Sequence, residues 1–162
     1  MTGGPTAVTL AEITFDTVRE VLTLDVADAQ RPFVASNAWS LAEAHYTTGA
    51  WPRAIVAQGA AVGFLMLFDP TRPGAVARGP MRSDEIGLWR LMIDHRFQRR
   101  GHARQALDLA CDHARRQARF ARMISSYVAG AEGPEGFYLA YGFRPTGSLR
   151  NDGREVEIAF DL

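Results

Sequence analysis

The sequence predicts a single α/β domain built on a central mixed, mostly antiparallel sheet with helices on both faces. Three observations carry this. The chain has 162 residues, enough for one hydrophobic core and little more. Its apolar periodicity runs in the order strand, two helices, three strands, long helix, strand, short helix and closing hairpin, which calls for a mixed sheet covered on both sides. One long apolar strand, "EIGLWRLMID" (85–94), also passes through a basic turn straight into the amphipathic "GHARQALDLACDHARRQA" (101–118).

Each element has its own warrant. "AVTLAEI" (7–13) alternates as a first strand. Phe15, Val18, Val21 and Leu22 then recur at helical spacing after a Thr14 cap. Ser40 and Glu43 stand three apart as a capping box for a second short helix. "RAIVAQ" (53–58) and "AAVGFLMLF" (60–68) form a hairpin about Gly59, and the Pro-, Gly- and Arg-rich stretch 69–83 is a loop. Ala103, Ala106, Leu107, Ala110, Ala114 and Ala118 share one face of the long helix, leaving an Arg-rich outer side. "RMISSYV" (122–128) is a strand, and "GPEGFYLAYGF" (133–143) is a helix with Pro134 in its first position and Gly142 at its end. Residues 148–162 form two strands about the Asn151–Gly153 turn, on which Glu155 and Glu157 share a face.

Composition excludes several classes. With 47% hydrophobic and 22% charged residues and zero formal charge, nothing points to nucleic acid or an anionic membrane as partner. No apolar run approaches the ~18 residues of a membrane span, and "MTGGPTAVTL" has no charged segment leading into an apolar core, so no secretory leader is expected. The lone Cys111 sits in the apolar helical stripe and fits a reducing, cytoplasmic setting. All 18 basic residues are arginine, so no lysine is available to carry an acyl group or a Schiff base. No metal is expected.

The stretch "MIDHRFQRRGHARQAL" (92–107) is where chemistry concentrates. A strand entering a helix through an Arg- and Gly-rich turn gathers backbone N–H groups and the positive end of a helix at one point, a place to hold phosphate. Gly101 allows close backbone approach, Ala103 is small enough not to block it, and Arg99 and Arg100 add full charges. The turn lacks both the nucleotide P-loop and the dinucleotide glycine patterns, which favours the pyrophosphate of another cofactor.

"QRRGHA" (98–103) after "LMID" resembles the Q/R-x-x-G-x-G/A signature of the GNAT superfamily of acetyl-CoA-dependent N-acetyltransferases, and "FYLAYGF" (137–143) resembles that family's second signature. "LWRLMIDHRFQRRGHARQAL", "NAWSLAEAHY" and "AIVAQGAAVGFLMLFD" look more narrowly like the bacterial spermine/spermidine or diamine acetyltransferase branch. The resemblance implies the GNAT fold, with strand 85–94 splayed from strand 122–128 to admit the pantetheine arm of acetyl-CoA. It implies that Leu91, Met92 and Ile93 pair with that arm, and that Arg99, Arg100, Gly101, His102, Ala103 and Arg104 wrap the pyrophosphate. Tyr138 falls where the family has the tyrosine that protonates the departing thiolate.

The base is a separate question. Trp89 stands where many relatives carry a glutamate, and Glu85 shares its strand parity but lies four residues back, about 13 Å along the strand. Glu85 is the expected base, acting through water, with Glu43 and His45 as alternatives. The asparagine common before the last short helix is replaced by Glu132 or Gly133. A polyamine acceptor wants converging carboxylates, for which Glu43, Asp69, Asp84, Glu85, Glu155 and Glu157 are candidates. Trp39, Tyr46, Trp51 and Trp89 are candidates to line an apolar pocket, and Glu43, Tyr46 and Trp89 are the expected substrate contacts. The resulting expectation is an acetyl-CoA-dependent N-acetyltransferase acting on a polyamine or diamine by direct attack in a ternary complex, with a homodimer as one candidate assembly. Its rivals are the same fold acting on an aminoglycoside, an amino acid or a protein N-terminus, and a non-catalytic CoA-binding module.

Overall fold

The computed structural model describes residues 7–162; residues 1–6, over which no leader is expected, lie outside the described residues. In chain order the elements are β1 (Val8–Ala11), α1 (Phe15–Thr23), α2 (Asn37–His45), β2 (Ala50–Ala57), β3 (Ala60–Phe68), β4 (Glu85–Ile93), α3 (His102–Arg116), β5 (Arg122–Val128), α4 (Glu135–Tyr141), β6 (Arg144–Arg150) and β7 (Glu155–Asp161). The strands form one sheet in the order β1-β2-β3-β4-β5-β7-β6. Every neighbouring pair is antiparallel except β4 and β5. This is the mixed sheet the periodicity predicts.

Each face of the sheet carries its own core. Ile55, Leu65, Leu67, Ile86, Leu88, Met123 and Ile158 pack against Ala106, Leu107, Ala110 and Ala114 of α3 and Tyr138 of α4. Ala54, Phe64, Met66 and Met92 pack on the other side against Val21 of α1 and Leu41 and Ala44 of α2. The β2–β3 hairpin turns through Gln58 and Gly59, both at positive φ (52° and 80°), the geometry that matches strand twist in a two-residue loop. Among the described residues no helix is long and apolar enough to cross a membrane.

Three local expectations need correction. The second helix starts at Ser36, whose side chain accepts from Trp39 N, not at Ser40. Ser40 lies one turn inside, buried, donating to the Ser36 carbonyl, while Glu43 is drawn away by arginines. On α1 the apolar residues do not form one buried stripe: Val21 is buried, but Phe15 is 85% exposed. Pro134 is the cap of α4 and Glu135 its first residue.

One buried carboxylate fixes the end of β4. Asp94 is almost fully buried and accepts from the Asp25 N–H (3.0 Å), the Arg96 N–H (2.9 Å) and the Arg96 guanidinium (2.8 and 3.1 Å). It thereby ties the chain after α1 to the turn that precedes α3. Burial alone would raise its pKa, but these donors outweigh it and hold the carboxyl at about 2 rather than 3.8. Because the folded value is depressed, the stabilisation is complete above about pH 4 and is lost as pH falls toward 2; it is worth about 2 kcal/mol. Asp94→Asn should therefore lower the neutral-pH melting temperature and flatten the stability loss between pH 4 and 2. Thermal melts across that range check both.

Candidate active site

The strands β4 and β5 pair over three residues only, Glu85–Gly87 against Arg122–Ile124. Beyond that point they diverge, and the Ser125 hydroxyl, donating to the Leu88 carbonyl at 2.9 Å, closes the vertex. A bulge in β4 accompanies the parting. Met66 pairs with Arg90 and Leu67 with Leu88, leaving Trp89 as the extra residue. Bulges bend a strand and increase its twist, and here one turns Trp89 and Arg90 to the same side, toward Phe68 and α2.

The gap opens into a cavity of about 1030 Å³ that runs through the sheet. Its lining reaches from Glu43 and Trp89 on the α2 side to Phe137 and Tyr138 of α4. Leu91, Met92 and Ile93 line it while pairing with Leu65, Phe64 and Gly63 of β3 on their other edge. Past the strand, Gln98 donates to the carbonyl of Ile93 (2.9 Å) and to Gln30 (2.8 Å), bracing the turn. Arg99 and Gly101 then take positive φ (61° and 80°), and Gly101 caps α3. Alternation of this kind points successive N–H groups inward as an anion cradle, at the positive end of a 15-residue helix.

Arg99, Gly101, His102, Ala103 and Arg104 line the cavity. Arg100 is absent from the lining: its guanidinium donates to the Arg96 carbonyl and lies over Phe97. Arg104 donates to Ala140 O and lies over Tyr141, linking α3 to α4. His102 is buried, and its Nδ1 has no hydrogen-bond partner among the described residues. Burial, with the Arg100 charge adding, lowers its pKa, so the ring is neutral at pH 7.

Tyr138 stands at the vertex. Its ring packs edge-on against Phe137 and Phe143 at 5.4 Å each. Burial pushes the hydroxyl up to about 12, with the Ser125 hydroxyl offsetting part of the shift. Tyr141 serves structure instead, donating to Asp108 at 2.7 Å outside the cavity.

Glu85 does not reach the cavity. It is 2% exposed, lies outside the cavity lining, and is held by Arg122 at 2.6 Å and the Arg82 N–H at 2.9 Å. Parity put it on the correct face, but at the closed end of the V, where β4 and β5 are still paired. Tyr46, 87% exposed, also lies outside the lining, as does Trp39. Trp51 stacks on His113 at 4.0 Å beside a separate cavity of about 390 Å³. Asp69 lines that second cavity, engaged by Thr71 and Arg119, and Asp84 is paired with Arg82. Glu43 and Trp89 do line the main cavity, as do Glu132 and Gly133 before α4. Glu43, however, is clasped by Arg78 (3.0 Å) and Arg90 (2.9 Å).

The structure adds residues that sequence reasoning passed over. Ser125 and Ser126, two hydroxyls inside an otherwise apolar strand, both line the cavity, as do Arg78, Arg90 and Arg150. The paired serines were the available signal, since a polar pair in a buried strand needs partners.

Solved structures match over nearly the whole chain. An acetyltransferase from Thermus thermophilus is 15% identical, with a TM-score of 0.68, covering 98% of this chain and 99% of that one. A ribosomal-protein-S18-alanine N-acetyltransferase from Escherichia coli is 16% identical, with a TM-score of 0.65, covering 96% and 94%. An aminoglycoside acetyltransferase in complex with coenzyme A is 10% identical, with a TM-score of 0.75, covering 96% and 95%. No curated protein sequence gives a significant match. The acetyltransferase (GNAT) family model matches residues 15–143, from α1 through the splayed strands and the Arg99–Gly101 turn to the end of α4. The chain belongs to the GNAT family and is an acetyl-transferring enzyme that draws on acetyl-CoA.

Proposed function

We propose that the chain moves the acetyl group of acetyl-CoA to a primary amine of a small molecule by direct attack within a ternary complex. The observation that carries this is the cavity through the sheet between β4 and β5, with a phosphate cradle at one end and a buried, protonated tyrosine at its vertex. Acetyl-CoA is a substrate here, supplying an activated acetyl group and a thiolate leaving group. Three features fit it: the β4 edge left without a β5 partner after Gly87, the left-handed turn, and Arg99 and Arg104 in the lining. The Met92 region would present a backbone donor to the developing oxyanion. Tyr138, protonated across the neutral range, would supply the proton to sulfur. Transfer without an acyl-enzyme is supported by Cys111, which is fully buried outside the cavity and whose thiol burial pushes up.

For the acceptor we propose a polyamine or diamine, supported by the likeness of the 88–107 stretch to that branch and by Glu43, Glu132 and Glu155 in the lining. A second reading has its own observation. Arg78, Arg90 and Arg150 also line the cavity, and Glu43 cannot neutralise both of its arginines. An amine that carries a carboxylate, such as an amino acid or a peptide N-terminus, would use that surplus positive charge. A thiol-release assay with acetyl-CoA against spermidine, spermine, putrescine, an aminoglycoside and a short peptide separates the two. Polyamine acetylation supports the first; activity confined to the peptide, lost on capping its C-terminal carboxylate, supports the second. Silence on every amine would refute the functional reading.

A further inference from the structure

The amine must lose a proton before it can attack. An alkyl ammonium with a pKa near ~10 is almost wholly protonated at pH 7, and Glu85 is sealed away. Among the described residues three carboxylates line the main cavity: Glu43, Glu132 and Glu155. Glu43 has an arginine on each oxygen, Arg78 on one and Arg90 on the other, so both oxygens are already turned to cations. Glu132 is exposed, on the loop that follows the far end of β5. Glu155, at the start of β7, is half-buried and accepts from neutral groups only, the Ser126 hydroxyl at 2.5 Å and the Asn151 amide at 2.7 Å.

Strand alternation sets where that carboxylate stands. On β5, Met123 and Tyr127 face the α3–α4 core, so Ser125 between them faces the same way and Ser126 faces the opposite side. On β7, Val156 and Ile158 belong to that same core, which puts Glu155 and Glu157 on the α1–α2 side with Ser126. Glu155 pairs with Val128 in register, but its carboxylate reaches back to Ser126, one residue from the vertex serine. Tyr138 stands beside Ser125 on one face of the sheet, and Glu155 is held by Ser126 on the other. Two consecutive residues of one strand thus anchor an acid and a carboxylate on opposite sides of the gap that a thioester would thread.

We propose that Glu155 is the general base of the acetyl transfer, positioned by Ser126 and Asn151; this rests on the acetyltransferase reading above. Glu155 takes a proton from the acceptor ammonium, directly or through one water. The freed nitrogen lone pair forms the C–N bond to the thioester carbonyl carbon, and the C–S bond breaks with its electron pair on sulfur. Tyr138 gives its hydroxyl proton to that sulfur and regains one from the nitrogen as the amide forms. The proton on Glu155 passes to solvent, so one ammonium and one thioester yield one amide, one thiol and one proton.

The charged neighbours of Glu155 are accounted for. Arg150, its register partner on β6, is turned to Glu157 and to the Pro80 carbonyl. Glu157, on the same face, is held by Arg150 and Thr146 and lies outside the lining. Across the cavity Arg78 and Arg90 are engaged with Glu43.

The test compares wild type, Glu155→Gln and Glu43→Gln with acetyl-CoA and whichever amine of the assay panel wild type acetylates, over pH 6.5–10, with calorimetric acetyl-CoA binding as the folding control. Glu155→Gln keeps the side chain's shape. It should bind acetyl-CoA within about twofold of wild type and lose about 10²–10³-fold in kcat/KM at pH 7. That deficit should shrink steadily toward pH ~10, where the amine sheds its proton unaided. Glu43→Gln should act mainly on KM. A Glu155→Gln enzyme within threefold of wild type at every pH overturns the proposal alone, as does a deficit that does not change with pH. No acetyl transfer by wild type to any amine overturns the functional reading and the proposal with it.

Discussion

Replacing Tyr138 with phenylalanine should lower kcat about 10²–10³-fold and leave acetyl-CoA affinity within about threefold. The ring is the part of Tyr138 that packs, against Phe137, Phe143 and, at 6.3 Å, Tyr127, and phenylalanine keeps all of it. Only the hydroxyl is lost, and its polar neighbour Ser125 retains the Leu88 carbonyl as partner, so no buried group is orphaned and stability should move little. What disappears is the proton for the departing sulfur. The raised pKa adds a second readout. Burial holds the hydroxyl at about 12, above the ordinary tyrosine value of about 10, so the acid form persists through pH 10. Tyr138 should impose no alkaline fall in kcat below about pH 11, and a wild-type rate already halved at pH 10 would argue against this tyrosine as the acid.

Gly63→Ala should be among the most damaging single substitutions in the chain. Gly63 lies on β3 opposite Ile93. A Cβ there would overlap the Met92 carbonyl oxygen and stand 2.8 Å from Ile93 Cδ1 and 3.1 Å from Ile55 Cδ1. Backbone cannot yield as a flexible side chain does, so β4 itself must move. Overpacking of this kind costs about 1–3 kcal/mol, sometimes more, which for a chain of this size is a fall of roughly 2–12 °C in Tm. The strand forced aside is also the wall formed by Leu91, Met92 and Ile93, so acetyl-CoA affinity should fall together with stability. Thermal melts and calorimetry on the same sample measure both. A stable Gly63→Ala protein with weakened binding would mean that β4 shifts without strain, against the tight packing described here.

The elements were legible because their signals are local. The Gly59 hairpin, the small-residue face of α3 and the Arg99–Gly101 turn each rest on residues adjacent in sequence or one helical turn apart. The candidate phosphate site was legible for the same reason: strand, left-handed turn and helix start lie within a dozen residues. Glu85 misled because parity gives the face of a strand but not how far along it a neighbour remains paired. Only the three-residue pairing of β4 with β5 shows that Glu85 is at the closed end. The bulge at Trp89 was equally hidden, since it depends on the register with β3. Ser126 and Glu155 are 29 residues apart and meet only through β5–β7 pairing. That both glutamates of β7 share a face could be read; that one of them faces the vertex could not.

Acetyl-CoA lying between β4 and β5, with its pyrophosphate on the turn before α3, would be held mainly by backbone amides. Hydrogen–deuterium exchange with and without acetyl-CoA reads those amides directly. Exchange should slow at Leu91–Ile93 and at Arg99–Arg104, with the β6–β7 hairpin tip little changed. Protection centred instead on the smaller cavity around Trp51 and His113, or no protection at the turn under saturating ligand, would contradict this placement.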